Sequence, residues 1–133
     1  MRASASRTRC GQLRRLAVLA VAVIAIDARA ELVDIRWDSV GLFETAVKVA
    51  PGKFAEVCGQ LAKDQSVAWS FKADRPLNFN IHYNEGKQVA FPAKQDAVVE
   101  AQGKLDVDLT QDYCWMWTNK TDSVVRLQLV LRR

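Results

Sequence analysis

The stretch Tyr113-Cys114-Trp115-Met116-Trp117-Thr118-Asn119, together with the apolar run at 124–131, decides the fold of this 133-residue chain. In the first part, Tyr113, Trp115 and Trp117 occupy alternate positions, so they point to one face of an extended strand. In the second part, leucine and valine alternate with polar residues. Two alternating runs joined by a polar turn predict a β-hairpin with one buried face.

The same alternation recurs along most of the chain before this hairpin. Runs that fit a strand lie at 43–49, 54–58, 67–71, 77–83, 87–91, 97–101 and 105–109. Turn signals separate them at Pro51-Gly52, Asp74-Arg75-Pro76, Glu85-Gly86, Pro92 and Gln102-Gly103. About eight short strands with turns at this spacing predict an all-β fold, an antiparallel β-sandwich with a small barrel as the alternative.

Two segments leave alternatives open. Residues 31–41 fit either a short edge strand or a packed arm, since Ile35 and Trp37 share one side. Residues 53–63 carry apolar side chains at helical spacing, but glycines at 52 and 59 and the short span favour a strand there.

The first 30 residues have the composition of a secretory signal peptide. Arginines precede an apolar run from Leu16 to Ile26, and Ala28-Arg29-Ala30 supplies the small side chains that a signal peptidase needs. A helix of that length spans only about 16 Å, less than the ~30 Å core of a bilayer. We therefore expect cleavage after Ala30, which leaves residues 31–133 as a single domain without stable membrane insertion. An uncleaved anchor is the alternative.

Removal of this segment changes the charge of the chain. The whole sequence holds 19 basic and 15 acidic side chains, and six basic and one acidic of these lie in residues 1–30. Residues 31–133 therefore carry 13 basic and 14 acidic side chains. This balance argues against a nucleic-acid partner and against a basic membrane-binding surface.

Cys58 and Cys114 are the two cysteines of the expected domain. An even pair in an exported protein favours a disulfide bond, because disulfides persist outside the cytoplasm. Two buried thiols that pack as small hydrophobic side chains are the alternative.

Three aromatic motifs resemble the GOLD (Golgi dynamics) domain over residues 43–132. They are Val67-x-Trp69-x-Phe71, Leu77-x-Phe79-x-Ile81-x-Tyr83 and Tyr113-x-x-x-Trp117-x-Asn119. The resemblance implies that Asn119 starts the last turn and that Cys58 pairs with Cys114, as in the membrane-anchored cargo receptors of that family. The side chains expected in the core are Trp69, Phe71, Phe79, Ile81, Tyr113 and Trp117.

The sequence also departs from the GOLD pattern. Gln111-Asp112 replaces the usual glycine before the tyrosine, and Cys114 follows that tyrosine directly. The sequence given ends at Arg133 without a coiled coil or a membrane span. The resemblance therefore implies a small interaction module and not a cargo receptor.

Candidate catalytic and metal-binding groups are few. His82 is the single histidine, which excludes a metal site built on two histidines and gives no defensible catalytic triad. A copper(I) site from His82 and Met116 is a minor alternative, and Asp106 with Asp108 fits a solvated strand face. We expect no enzyme activity, no cofactor and no bound metal.

The stripe Asn78, Asn80, His82 and Asn84 is the most unusual polar feature, since it places three amides and an imidazole on one strand face. It suits binding of a polar ligand or an extended peptide, and an ordinary water-facing strand is the alternative. The sequence thus predicts a secreted or periplasmic, non-enzymatic module that binds a protein, a peptide or an envelope component. A periplasmic carrier of a small ligand or metal ion is the alternative function.

Overall fold

The computed structural model describes residues 30–133, so the predicted signal peptide, apart from Ala30, lies outside the described residues. Within residues 30–133 the chain forms only β-strands, which confirms the all-β prediction. The strands of this part are β1 (Glu31–Asp34), β2 (Leu42–Val49), β3 (Phe54–Leu61), β4 (Ser66–Glu85), β5 (Gln88–Asp106), β6 (Gln111–Thr118) and β7 (Val125–Arg132). This part has no helix that is long and apolar enough to cross a membrane.

Strand β4 organises the sheet because it pairs with different neighbours along its length. Residues Ala68–Ala73 pair with β7, whereas Asn78–His82 pair with β6. The strand order is β1-β3-β6-β4-β7-β2, and β5 follows the other side of β4. The β4–β5 hairpin therefore contributes to both layers of a barrel-like β-sandwich.

The strand count is lower than the sequence pattern predicts. The predicted breaks at Asp74-Arg75-Pro76, Pro92 and Gln102-Gly103 lie inside β4 and β5, which merges several predicted strands into two long ones. The pairing of β4 with β5 shifts register near the first two of these places, between Lys72 and Leu77 and between Ile81 and Tyr83, whereas Gln102-Gly103 pairs in regular register with Ser70 and Trp69. Bulges of this kind bend a strand without ending it, and they accommodate proline.

Residues 31–41 form both an edge strand and a packed arm, the two structures that their sequence allows. β1 is an edge strand that runs parallel to β3, the one parallel pairing among the described strands. Ile35 then continues as a packed arm, and its N–H donates to the carbonyl oxygen of Cys58 at 2.8 Å. The carboxylate of Glu31 accepts a hydrogen bond from the Lys48 N–H at 2.9 Å, so β1 covers part of the open edge of β2.

The core between the layers is built around an aromatic cluster. The ring of Phe79 lies 5.1 Å from Trp69, 4.8 Å from Phe71 and 5.6 Å from Trp117, measured between centroids. Such spacings are typical of tilted and offset aromatic packing. All six predicted core side chains are at most 6% exposed, and Trp115 is fully buried beside them.

Asn119, the residue expected to start the last turn, lies fully buried directly after β6. Its Nδ2 donates to the carbonyl oxygens of Val49 at 2.9 Å and Ser123 at 2.7 Å. Its Oδ1 accepts from the Thr121 N–H at 2.8 Å. One side-chain amide thereby satisfies backbone groups of the β6–β7 turn and of the end of β2.

Candidate interaction face around His82

The predicted stripe lies along one face of β4, but its amides mostly serve the fold. Asn78 Oδ1 accepts a hydrogen bond from the N–H of Ala97 at 3.0 Å, where Ala97 takes a positive φ of 53° in β5. Asn80 is only 8% exposed and its Oδ1 accepts from His82 Nδ1 at 2.9 Å. Of the stripe, Asn80 is buried, Asn78 and His82 are half-buried, and Asn84 is exposed.

His82 lies on the outer face of the sheet formed by β1, β3, β6, the second half of β4 and the first part of β5. Its Nε2 lies 3.7 Å from Oε1 of Glu56, a residue of β3. Its ring centroid lies 6.1 Å from that of Phe91 on β5. The imidazole therefore lies between the side chains of Glu56 and Phe91, which are on other strands and cannot be identified from the sequence of β4.

The predicted disulfide between Cys58 and Cys114 is present in the structure, and it lies on this same face. The two residues are direct partners in the antiparallel pairing of β3 with β6. His82 is the partner of Cys114 on the next strand. Cys58, Cys114 and His82 therefore form one row across three adjacent strands.

Exposed apolar side chains flank this row on both sides. Four of the eight large hydrophobic residues that are exposed in residues 30–133 lie here, namely Leu32, Phe54, Val89 and Phe91, with exposures of 69, 40, 48 and 51%. Lys94 holds its ammonium 5.7 Å from the centroid of Phe91. We call this surface the His82 face, formed by Leu32, Phe54, Glu56, Cys58, Asn80, His82, Val89, Phe91, Lys94, Cys114 and Met116.

Sequence reasoning found the stripe on β4, the disulfide and His82 with Met116 as candidate ligands, and it missed Glu56 and Phe91. These two residues come from β3 and β5, and they meet His82 only through the register of the strands. Phe54 offered a signal in the sequence, because the residues two positions before and after it, Gly52 and Glu56, are small or charged.

Asp106 and Asp108 form no comparable cluster. Asp106 lies 3.1 Å from the ammonium of Lys104, and both side chains are exposed. Hydrogen bonds from Lys104 and Ser66 lower the pKa of Asp106 below its ordinary value. A paired, solvated carboxylate of this kind is not an acid catalyst, which needs a raised pKa.

Grooves lie on the other layer of the sandwich. One of about 560 Å³ is lined by Ser70, Lys72, Gln102 and Gln128, among others. Another of about 510 Å³ has Val47 and Leu127 at its base and charged side chains, such as Lys48 and Arg126, in its walls. Half of the residues that line the two grooves are exposed, and both grooves are open surface depressions.

No protein-family model and no curated protein matches this sequence significantly. The fold is similar to that of Aeromonas hydrophila PliG, a periplasmic lysozyme inhibitor of g-type lysozyme, with 11% identity, a TM-score of 0.55 and coverage of 78% of this chain and 96% of that one. It is also similar to the pre-peptidase C-terminal domain of Bacillus anthracis collagenase, with 10% identity, a TM-score of 0.58 and coverage of 77% and 96%. The Yersinia pseudotuberculosis-derived mitogen has 8% identity, a TM-score of 0.52 and coverage of 68% and 84%. Similarities at this level of identity show that the chain shares a β-sandwich fold with these proteins.

Proposed function

We propose that this chain is an exported, non-enzymatic β-sandwich that binds a protein or peptide partner of the cell envelope through the His82 face. The observation that carries the proposal is the concentration of exposed Leu32, Phe54, Val89 and Phe91 around a polar centre on one sheet surface. Exposed apolar side chains that are grouped on one surface of a domain mark sites of interaction.

The composition of the His82 face fits a protein interface. Aromatic and methionine side chains are enriched in such interfaces, and the face offers Phe54, Phe91 and Met116. Asn80 and His82 already bond to each other, so covering them leaves fewer polar groups without partners. Phe91 is the expected anchor, since half of its surface is available for burial.

Export is supported by two independent features. The disulfide between Cys58 and Cys114 suits an oxidising compartment, and the expected signal peptide precedes the domain. The similarity to periplasmic PliG points the same way. Membership of the GOLD family, which the aromatic motifs predict, stays a prediction.

The first partner to test is a g-type lysozyme, because the PliG proteins of Aeromonas hydrophila and Salmonella Typhimurium are inhibitors of that enzyme class. The purified chain is titrated into g-type lysozyme in a calorimeter, and peptidoglycan hydrolysis is followed in parallel. Binding that is lost in the double variant Phe91→Ala and His82→Ala would identify both the partner and the surface.

A second experiment tests the surface whatever the partner is. A photo-crosslinking amino acid is placed at position 91 or, as a matched control, at the exposed position 128 on the other layer, and cells of the native host are irradiated. The proposal predicts a discrete adduct from position 91 that is absent from position 128. Equal labelling from both positions, or none from position 91, contradicts it.

A carrier of a small ligand is the second candidate function, and the groove of about 510 Å³ above Val47 and Leu127 favours it. Native mass spectrometry of the chain purified from its own host separates the two functions. A retained small molecule that is lost on Arg126→Ala, in the wall of the groove, supports a carrier, whereas a co-purifying protein that depends on Phe91 supports the interaction module.

A further inference from the structure

We propose that reduction of the Cys58–Cys114 disulfide turns the centre of the His82 face into a binding site for a thiophilic divalent cation such as Zn²⁺. The four ligands are the two thiolates, Nε2 of His82 and the carboxylate of Glu56. This inference does not depend on the identity of the protein partner.

Three of the four ligand atoms are already close together. A carboxylate oxygen of Glu56 and the two sulfur atoms all lie within 4.8 Å of one another. His82 Nε2 lies 3.7 Å from the same carboxylate. In a tetrahedral site with metal–ligand distances of about 2.0–2.3 Å, neighbouring ligand atoms lie about 3.3–3.8 Å apart. The two sulfur atoms and the Glu56 oxygen therefore need only small movements, whereas His82 lies outside this group of three and its ring has to turn toward the sulfur atoms to complete the site.

The imidazole is oriented for this role. His82 Nδ1 donates to Asn80 Oδ1, which leaves the lone pair of Nε2 directed toward the side of Glu56. Histidine ligands of metals characteristically donate their other ring N–H to a fixed acceptor in the same way. Asn80 is therefore a positioning residue, and its burial at 8% exposure keeps it in place.

Charge explains why reduction and metal binding go together. Glu56 and His82 are only 21% and 17% exposed, and two thiolates beside the Glu56 carboxylate would place three negative charges in a half-buried cluster. A divalent cation offsets most of that repulsion. In the disulfide form the sulfur atoms carry no charge and offer no thiolate ligand, so the site exists only after reduction.

Reduction of the disulfide requires a dithiol reductant, which is either a protein or a small molecule. The reductant supplies two electrons and two protons, the S–S bond breaks, and the reductant leaves as its own disulfide. Cation binding then displaces the two thiol protons to solvent as two metal–sulfur bonds form.

Cobalt(II) absorbance tests the site, because thiolate ligation produces a charge-transfer band and tetrahedral geometry produces intense d–d bands. The chain carries Cys10→Ser to remove its third thiol, is reduced with a phosphine under anaerobic conditions, and is titrated with Co²⁺. We expect one Co²⁺ per chain, displacement of that Co²⁺ by Zn²⁺, and no charge-transfer band from the oxidised chain.

Variants on the same face identify the ligands. His82→Ala and Glu56→Gln should each weaken Co²⁺ binding by about tenfold or more. Asn84→Ala, on the same strand as His82, should leave it unchanged. Tryptophan fluorescence shows in parallel whether the reduced chain stays folded. Equal affinity in His82→Ala, a ratio of one Co²⁺ to two chains, or unfolding on reduction without Co²⁺ binding would each overturn the proposal.

Discussion

The side-chain amide of Asn119 donates to the carbonyl oxygen of Val49 at 2.9 Å, a contact that joins residues 70 positions apart in the sequence. Val49 ends β2 and Asn119 follows β6, so one hydrogen bond ties the two layers of the sandwich at this end. The backbone strengthens the link, because the N–H of Gly52 donates to the carbonyl oxygen of Asn119 at 3.0 Å.

Replacement of Asn119 tests this link. Asn119→Ala leaves the buried carbonyl of Val49 and the N–H of Thr121 without a side-chain partner, and unmet buried polar groups cost about 1–3 kcal/mol each. We expect the free energy of unfolding in urea to fall by about 2–3 kcal/mol. Asn84→Ala, at an exposed position, should change it by less than about 0.5 kcal/mol. A loss of that small size in Asn119→Ala would show that the link contributes nothing.

Trp117 tests the core assignment. Its ring stacks on Phe79 at 5.6 Å and meets the edge of Phe71 at 5.5 Å. Trp117→Ala should lower the free energy of unfolding by about 3–5 kcal/mol, because it opens a large cavity.

Trp117→Phe is the milder variant. It keeps an aromatic ring and removes an indole N–H that has no acceptor within residues 30–133, so its expected cost is about 1–2 kcal/mol. A loss below about 1 kcal/mol in Trp117→Ala would contradict the assignment of this residue to the core.

Gly103 is the partner of Trp69 in the β4–β5 pairing, and the indole ring lies against its backbone. A Cβ atom at position 103 would come 2.7 Å from Cζ2 of Trp69. Gly103→Ala should therefore displace the ring and cost about 1–3 kcal/mol of stability. Chemical denaturation with tryptophan fluorescence measures both effects. Gly52→Ala, where the added Cβ meets open space but φ is positive, separates steric clash from backbone strain. An unshifted fluorescence maximum in Gly103→Ala would argue against the contact.

Tyr113 predicts how stability depends on pH at the alkaline end. Burial is the main cause that raises the pKa of Tyr113 above its ordinary value of 10.0. The folded chain thus holds the phenol proton more tightly than the unfolded chain, so stability is complete below pH 10 and falls as the pH rises through the folded pKa.

Tyr113→Phe should remove that part of the decline. At neutral pH it should also cost about 1 kcal/mol, since the hydrogen bond from the Tyr113 hydroxyl to the Leu109 carbonyl is lost. Urea unfolding of the original chain and of Tyr113→Phe from pH 8 to 11 measures the difference between their free energies of unfolding. Both chains contain the same lysines, so the effects of lysine titration cancel in this difference. Parallel pH profiles would contradict the prediction.

The sequence predicts the faces of the strands better than their ends. Alternation alone assigns Trp115 and Trp117 to one face and Cys114 to the other, and the structure has them so. It does not predict that β4 continues through Pro76, because a bulge keeps the pairing going across a residue that usually ends a strand. The parallel pairing of β1 is also beyond periodicity, since four residues carry almost no pattern.

The sequence predicts the candidate site only in part, because the contacts of the site also depend on strand pairing. The alternation of side chains along a strand predicts which residues share a face of β4 with His82. The neighbours of His82 on other strands depend on which strands pair and in which register, and alternation does not predict these. Glu56 reaches His82 because β6 lies between β3 and β4, a non-sequential arrangement that local patterns do not encode. Asn78 illustrates the converse, because a residue predicted to bind a ligand also supports a bulge at Ala97, which the sequence does not reveal.

The position of β7 has a consequence for the order in which the molecule is made. β7 lies between β4 and β2, and Leu42 finds its pairing partner at Arg132, close to the last residue of the sequence. Its side chains Val125, Leu127, Leu129 and Leu131 complete the core. During synthesis, β2 therefore stays without its neighbour until residues 125–132 have been made, and the domain formed by residues 31–133 cannot close its core before then.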